Sequence, residues 1–167
     1  MITIRITLLL ITAITTALTA GLLYSYACSI NPGLGRLPDE AYLRATQSIN
    51  RAILNPVFFL SFIGTMFLLP AATLLHAKDP GSVRFLCLLG ASVIYIAGVI
   101  GVTAMGNIPL NKALDVFNIS SATAQEMADM RTKFQGPWNN LHMVRTWASI
   151  IALALVIIAC LRPVTKA

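Results

Sequence analysis

The chain has 167 residues, 57% of them apolar and only 11% charged. Soluble domains carry about 25% charged residues, so an ordinary water-soluble fold is excluded. The net charge of +6 comes from twelve Lys and Arg scattered near the ends of apolar runs, which fits membrane flanking and argues against nucleic-acid binding.

Four apolar runs, 6–27, 57–75, 85–105 and 147–161, dominate the chain. About 20 helical residues cross a hydrocarbon layer roughly 30 Å thick, and the first three runs supply that nearly unaided. The expectation is an all-α integral membrane four-helix bundle forming one domain over 1–167. Its spans are placed at approximately 5–28, 56–76, 84–106 and 137–161, with amphipathic helices in the two long connections.

The first run follows Arg5 and has the look of a signal peptide, but Leu18 spoils the small-x-small pattern before Gly21, so a retained helix is expected. Thr12, Thr16 and Ala20 share a face on which a neighbouring helix can approach. In the first long connection Pro38, Asp39 and Glu40 open a helix. Tyr42, Ala45, Ile49, Ala52 and Ile53 then recur at helical spacing, as for a helix resting at the membrane interface.

Pro70 falls inside the second span, where neighbouring helices can accommodate a kink. Asp79-Pro80-Gly81 makes a tight turn to the third span, whose close-packing face is expected to carry Ala97 and Gly101. In the second long connection Thr123 and Glu126 have capping-box spacing, and Met127, Met130 and Phe134 follow at intervals of three and four. The fourth span is expected to start at Gly136-Pro137, since proline suits a first helical position.

Both termini and the short turn share one side of the membrane. Basic residues are denser there, so both termini are placed in the cytoplasm, in a bacterial inner membrane. Cys28, Cys87 and Cys160 show no metal-binding spacing and read as apolar core residues; neither a metal nor a cofactor is expected. Asn118-Ile119-Ser120 matches a glycosylation acceptor, a pattern too common to carry weight.

The fourth apolar run, 147–161, is only about 22 Å long at the usual rise. Crossing the bilayer therefore draws Arg145, and His142 with it, to membrane depth, where ionisable groups face a protein interior or a wet cavity. Trp138, His142 and Arg145 lie at intervals of four and three on one helical stripe. The topology brings Asn31, Asn50, Arg51, Asn55, Asn107 and Asn111 to the same end of the bundle. A base, a cation and several amides there form a candidate pocket for a carbonyl-bearing or phenolic ligand. Plainer readings stand beside it: a snorkelling Arg145, a Trp138 in the aromatic belt, and helix caps at Asn55 and Asn107.

The blocks Ile49-Asn50-Arg51-Ala52-Ile53-Leu54-Asn55-Pro56, Gly106-Asn107-Ile108-Pro109-Leu110-Asn111 and Trp138 through Arg145-Thr146, in this order, resemble the anthrone oxygenase-like membrane family. The resemblance covers essentially the whole chain. It implies a four-helix membrane protein that oxidises a planar hydrophobic aromatic substrate with molecular oxygen and no metal or flavin. On that footing His142 is the base, while Arg145, Asn107 and Asn111 stabilise an oxyanion. Trp138 then stacks on the substrate, and Asn50, Arg51 and Asn55 line its site. The alternative is a non-catalytic protein that binds a lipid, a quinone or a partner helix in the same pocket; a transporter is disfavoured because no acidic residue lies within a span.

Overall fold

The computed structural model describes residues 4–162. Five helices account for most of them: α1 Ile4–Leu34, α2 Asp39–Ala52, α3 Pro56–Leu75, α4 Val83–Asp115 and α5 Ala124–Leu161. No strand occurs among the described residues. The protein is an integral membrane helical bundle, because α1, α3, α4 and α5 are each long and apolar enough to cross a bilayer. Their contacts run in a ring, α1 on α3, α3 on α4, α4 on α5 and α5 on α1.

The interior has three tiers. At the terminal end Leu9, Ala72, Cys87, Leu88 and Ala159 pack together, and the middle tier joins Leu23, Phe62, Leu69, Tyr95, Val99, Ala152 and Val156. At the far end Tyr42, Leu43, Leu114, Ile119, Phe134 and Trp138 form a separate cluster. Large apolar side chains such as Leu18, Leu60, Phe67 and Val93 point outward, as expected of a surface solvated by lipid.

Thr12, Thr16 and Ala20 are buried, as their shared face requires. The threonine hydroxyls donate to carbonyls one turn back, Thr12 to Leu8 at 2.7 Å and Thr16 to Thr12 at 2.6 Å, so neither is left unsatisfied in the interior. On α4 the tight face is shifted from the expected one. Ala97 is exposed, and Gly98 instead meets α5, where an added Cβ would lie 2.6 Å from the Cβ of Ala148. Gly98 follows the buried Ala91 and Tyr95 at intervals of seven and three, so it continues the face that packs inward, and Ala97 does not.

The last helix differs most from expectation. It does not start at Gly136-Pro137 but at Ala124, where Thr123 and Glu126 form a complete capping box, and it passes Pro137 without a break. Proline inside a helix costs about 3 kcal/mol in lost hydrogen bonding and steric clash. Phe134 and Trp138, on either side of it, are both buried in the outer cluster. At about 1.5–3 kcal/mol per buried large apolar side chain, their packing offsets the defect.

The outer cluster sits where α2 lies across α5 and the end of α4. The amphipathic helix expected in the first connection is thus present, with Tyr42 and Leu43 turned into protein. Arg131 on α5 fastens it: Nη1 donates to the Leu37 carbonyl (2.7 Å) and to Asp39 Oδ1 (2.9 Å), and Nη2 to the Gly35 carbonyl (2.8 Å). The same guanidinium lies 4.5 Å over the Tyr42 ring. Of the cysteines, Cys87 is buried, but Cys28 is exposed and corrects the expectation of a core residue.

Candidate functional site

Trp138, His142 and Arg145 share one buried stripe of α5, with exposures of 5%, 1% and 9%. The Trp138 and His142 rings are stacked, 5.0 Å apart and within 9° of parallel, and Phe134 extends the stack at 6.1 Å. The Arg145 guanidinium lies 4.9 Å from the Trp138 ring centroid. A residue every three or four positions on a helix makes such a ladder, so this part follows directly from sequence spacing.

The hydrogen bonds fix the imidazole tautomer. His142 Nε2 is 3.0 Å from the Leu23 carbonyl, which can only accept, so Nε2 carries the proton. Nδ1 faces Arg145 Nε at 3.1 Å and Nη2 at 3.0 Å, which can only donate, so Nδ1 presents its lone pair. Arg145 Nη1 reaches Thr103 Oγ1 at 3.4 Å. None of the ion pairs among the described residues involves Arg145. A buried cation without a carboxylate is costly, and it makes this end of the bundle attractive to an anion.

Two asparagines of α4 complete the cluster. Asn111 Oδ1 accepts from Trp138 Nε1 at 2.8 Å, and Asn107 Nδ2 donates to the Trp138 carbonyl at 3.3 Å. Asn107 is fully buried, yet its Oδ1 has no partner among the described residues. A buried acceptor left without a partner is where a bound hydroxyl or water would be at home.

The structure adds residues that sequence reasoning did not single out. The Tyr26 ring is 5.5 Å from Trp138 and 5.4 Å from His142, tilted against both. Tyr26 opens a π-helical turn over Tyr26–Ile30; Thr103 and Asn107 open and close another over Thr103–Asn107. Tyr26, Thr103 and Asn107 thus come from widened turns, a distortion common at functional sites, whereas Asn111 follows on regular α-helix. An aromatic near the end of the first apolar run was the available signal for Tyr26. For Thr103 there was none, because its placement depends on the π turn.

The other expected site residues have different occupations. Asn55 is the N-cap of α3, accepting from Phe58 N at 3.0 Å and donating to the Ala52 carbonyl at 2.9 Å. Arg51 pairs with Asp115 at 2.6 Å across an exposed surface, tying α2 to the end of α4. Asn50 is half-buried, with its Nδ2 unpartnered among the described residues. No hydrogen bond or ring contact among the described residues joins these three to the His142 cluster.

A family model for anthrone oxygenase matches residues 57–155, more than half of the chain. The match contains Thr103, Asn107, Asn111, Trp138, His142 and Arg145, whereas Tyr26 and α2 lie outside it. The comparisons with curated proteins and with solved structures found no match.

Proposed function

We propose, from the premise that the chain belongs to the anthrone oxygenase family, that it oxidises a planar hydrophobic aromatic substrate with molecular oxygen at the His142–Arg145 cluster. The observation that carries this reading is the buried Arg145 guanidinium with no ion pair among the described residues. Preorganised positive charge of this kind stabilises an oxyanion most where water is excluded.

An anthrone-type substrate has a CH2 group flanked by aromatic rings and opposite a carbonyl. Loss of a proton from that carbon places negative charge on the carbonyl oxygen, which Arg145 would bind. A substrate hydroxyl would donate to Asn107 Oδ1. His142 Nδ1 is engaged by the guanidinium; a substrate oxygen drawing Arg145 away would free its lone pair to take the proton. The electron-rich anion then passes one electron to O2, and the radical and superoxide join in a C–O bond. After protonation the hydroperoxide loses water to leave a ketone, so one oxygen atom enters the product and the other leaves as water. Tyr26, tilted against both Trp138 and His142, would offer a ring to a flat substrate, and Trp138 would hold the imidazole by stacking.

A second reading is a site that binds a lipid, a quinone or a partner helix without chemistry. It is favoured by the way His142 and Arg145 satisfy one another and by the stacking of Phe134, Trp138 and His142 among themselves. Oxygen uptake with anthrone separates the two. A lost general base lowers the rate by about 10²–10⁴-fold, and a lost oxyanion donor by about 10²–10³-fold. Folded His142→Ala and Arg145→Ala variants that consume oxygen as fast as the parent would remove the catalytic assignment.

A further inference from the structure

At the opposite end of the bundle from His142, four helix termini meet around a cavity of about 240 Å³. Arg5 comes from the start of α1, His76 from the end of α3, Arg84 from the start of α4 and Arg162 from the end of α5. Leu9 and Leu10 of α1 are among the apolar residues that complete the wall, and no carboxylate of the described residues lines it. Three arginines from three separate stretches of chain thus converge on one opening, without a compensating acid among the described residues.

Part of this charge has a structural task. Arg84 Nε donates to the Ala159 carbonyl at 3.0 Å and Nη2 to the Arg162 carbonyl, so Arg84 satisfies carbonyls at the C-terminal end of α5. His76 Nδ1 is 2.8 Å from the Ala72 carbonyl, which leaves Nε2 for another partner. The Arg5 and Arg162 guanidinium groups have no comparable duty among the described residues. None of the ion pairs among the described residues involves either of them.

The cavity is therefore cationic at its polar end and aliphatic along its wall, at the level where all four spans end. We infer that it seats one anionic phospholipid, its phosphate between Arg5 and Arg162 and an acyl chain against Leu9 and Leu10. A soluble phosphate would gain nothing from the aliphatic wall, whereas a lipid in either leaflet already has its phosphate at this depth. The inference is independent of any chemistry at His142.

The test is native mass spectrometry of the full chain in detergent, titrated with phosphatidylglycerol or phosphatidylcholine. Each arginine near an anionic headgroup contributes about fivefold to binding, so an Arg5→Gln/Arg162→Gln variant should retain phosphatidylglycerol roughly 25-fold more weakly. Arg5→Lys/Arg162→Lys should keep most of the binding, and Arg36→Gln, an exposed position at the other end, should keep all of it. The inference fails if phosphatidylcholine binds as tightly as phosphatidylglycerol, or if Arg36→Gln weakens retention as much as the double variant. It fails equally if glycerol phosphate displaces the lipid at matching concentration, because the site would then read a free phosphate.

Discussion

Replacing Gly98 with alanine perturbs the crossing of α4 and α5 and nothing else. The new Cβ would stand 2.6 Å from the Cβ of Ala148 and 4.0 Å from its Cα. Carbon atoms sit best at about 3.5–4.0 Å, so the shortfall is roughly 1 Å. Both carbons are fixed to helical backbone, and relief requires the two helices to part. Overpacking of this kind costs about 1–3 kcal/mol, against about 0.4–1 kcal/mol gained because alanine restricts the unfolded chain. The expected net loss is about 1–2 kcal/mol, and at about 2–4 °C per kcal/mol the midpoint should fall by about 2–8 °C.

Thermal unfolding at fixed detergent concentration reads this directly. Gly64→Ala supplies the control, since nothing lies within 4 Å of its added Cβ, and it should unfold at or slightly above the parent temperature. Adding Ala148→Gly to the Gly98→Ala variant should restore most of the loss, because the facing methyl is then gone. Gly106→Ala has a nominally similar overlap, 2.7 Å to Leu141 Cδ1, but that methyl ends a flexible side chain and can swing away, so the loss should be smaller. A Gly98→Ala protein as stable as the parent, or a second substitution without rescue, would refute the close crossing.

Asn111→Leu should cost about 1–3 kcal/mol by leaving the Trp138 N–H without its acceptor, whereas Asn111→Asp, which keeps an acceptor, should cost less; unfolding midpoints of the two variants check this. Arg131→Lys should speed proteolysis of the 35–39 connection, because one ammonium cannot hold the Gly35 and Leu37 carbonyls and Asp39 together as the planar fork does. Thr123→Ala should remove about 1 kcal/mol of capping, seen as faster amide exchange confined to the first turn of α5.

The four spans could be read from the sequence because apolar run length answers directly to bilayer thickness. A helix start at Thr123 was visible too, since a capping box is a local hydrogen-bond pattern, although it was read as opening a separate connecting helix and not the last span. That α5 continues through Pro137 was not, because the local penalty of proline is outweighed by distant partners of Phe134 and Trp138. At the cluster, the stripe of Trp138, His142 and Arg145 follows from helical periodicity, but the positions of Asn107 and Thr103 depend on a π turn that no residue pattern announces. The site expectation for Arg51 treated its guanidinium as available, whereas for Asn55 the plainer helix-cap reading is the one the structure has. In the structure Asp115 and the first turn of α3 take them, a competition that only three-dimensional placement decides.

The hydrogen bond from His142 to the Leu23 carbonyl joins positions 119 residues apart. A ribosome delivers α1 to the membrane long before α5 emerges, so the imidazole meets its acceptor only after the last span has followed the other three. Nascent chains halted after α4 would hold three spans and both asparagines, yet no assembled cluster. Competence at this end of the bundle therefore reports that all four spans have been made and inserted.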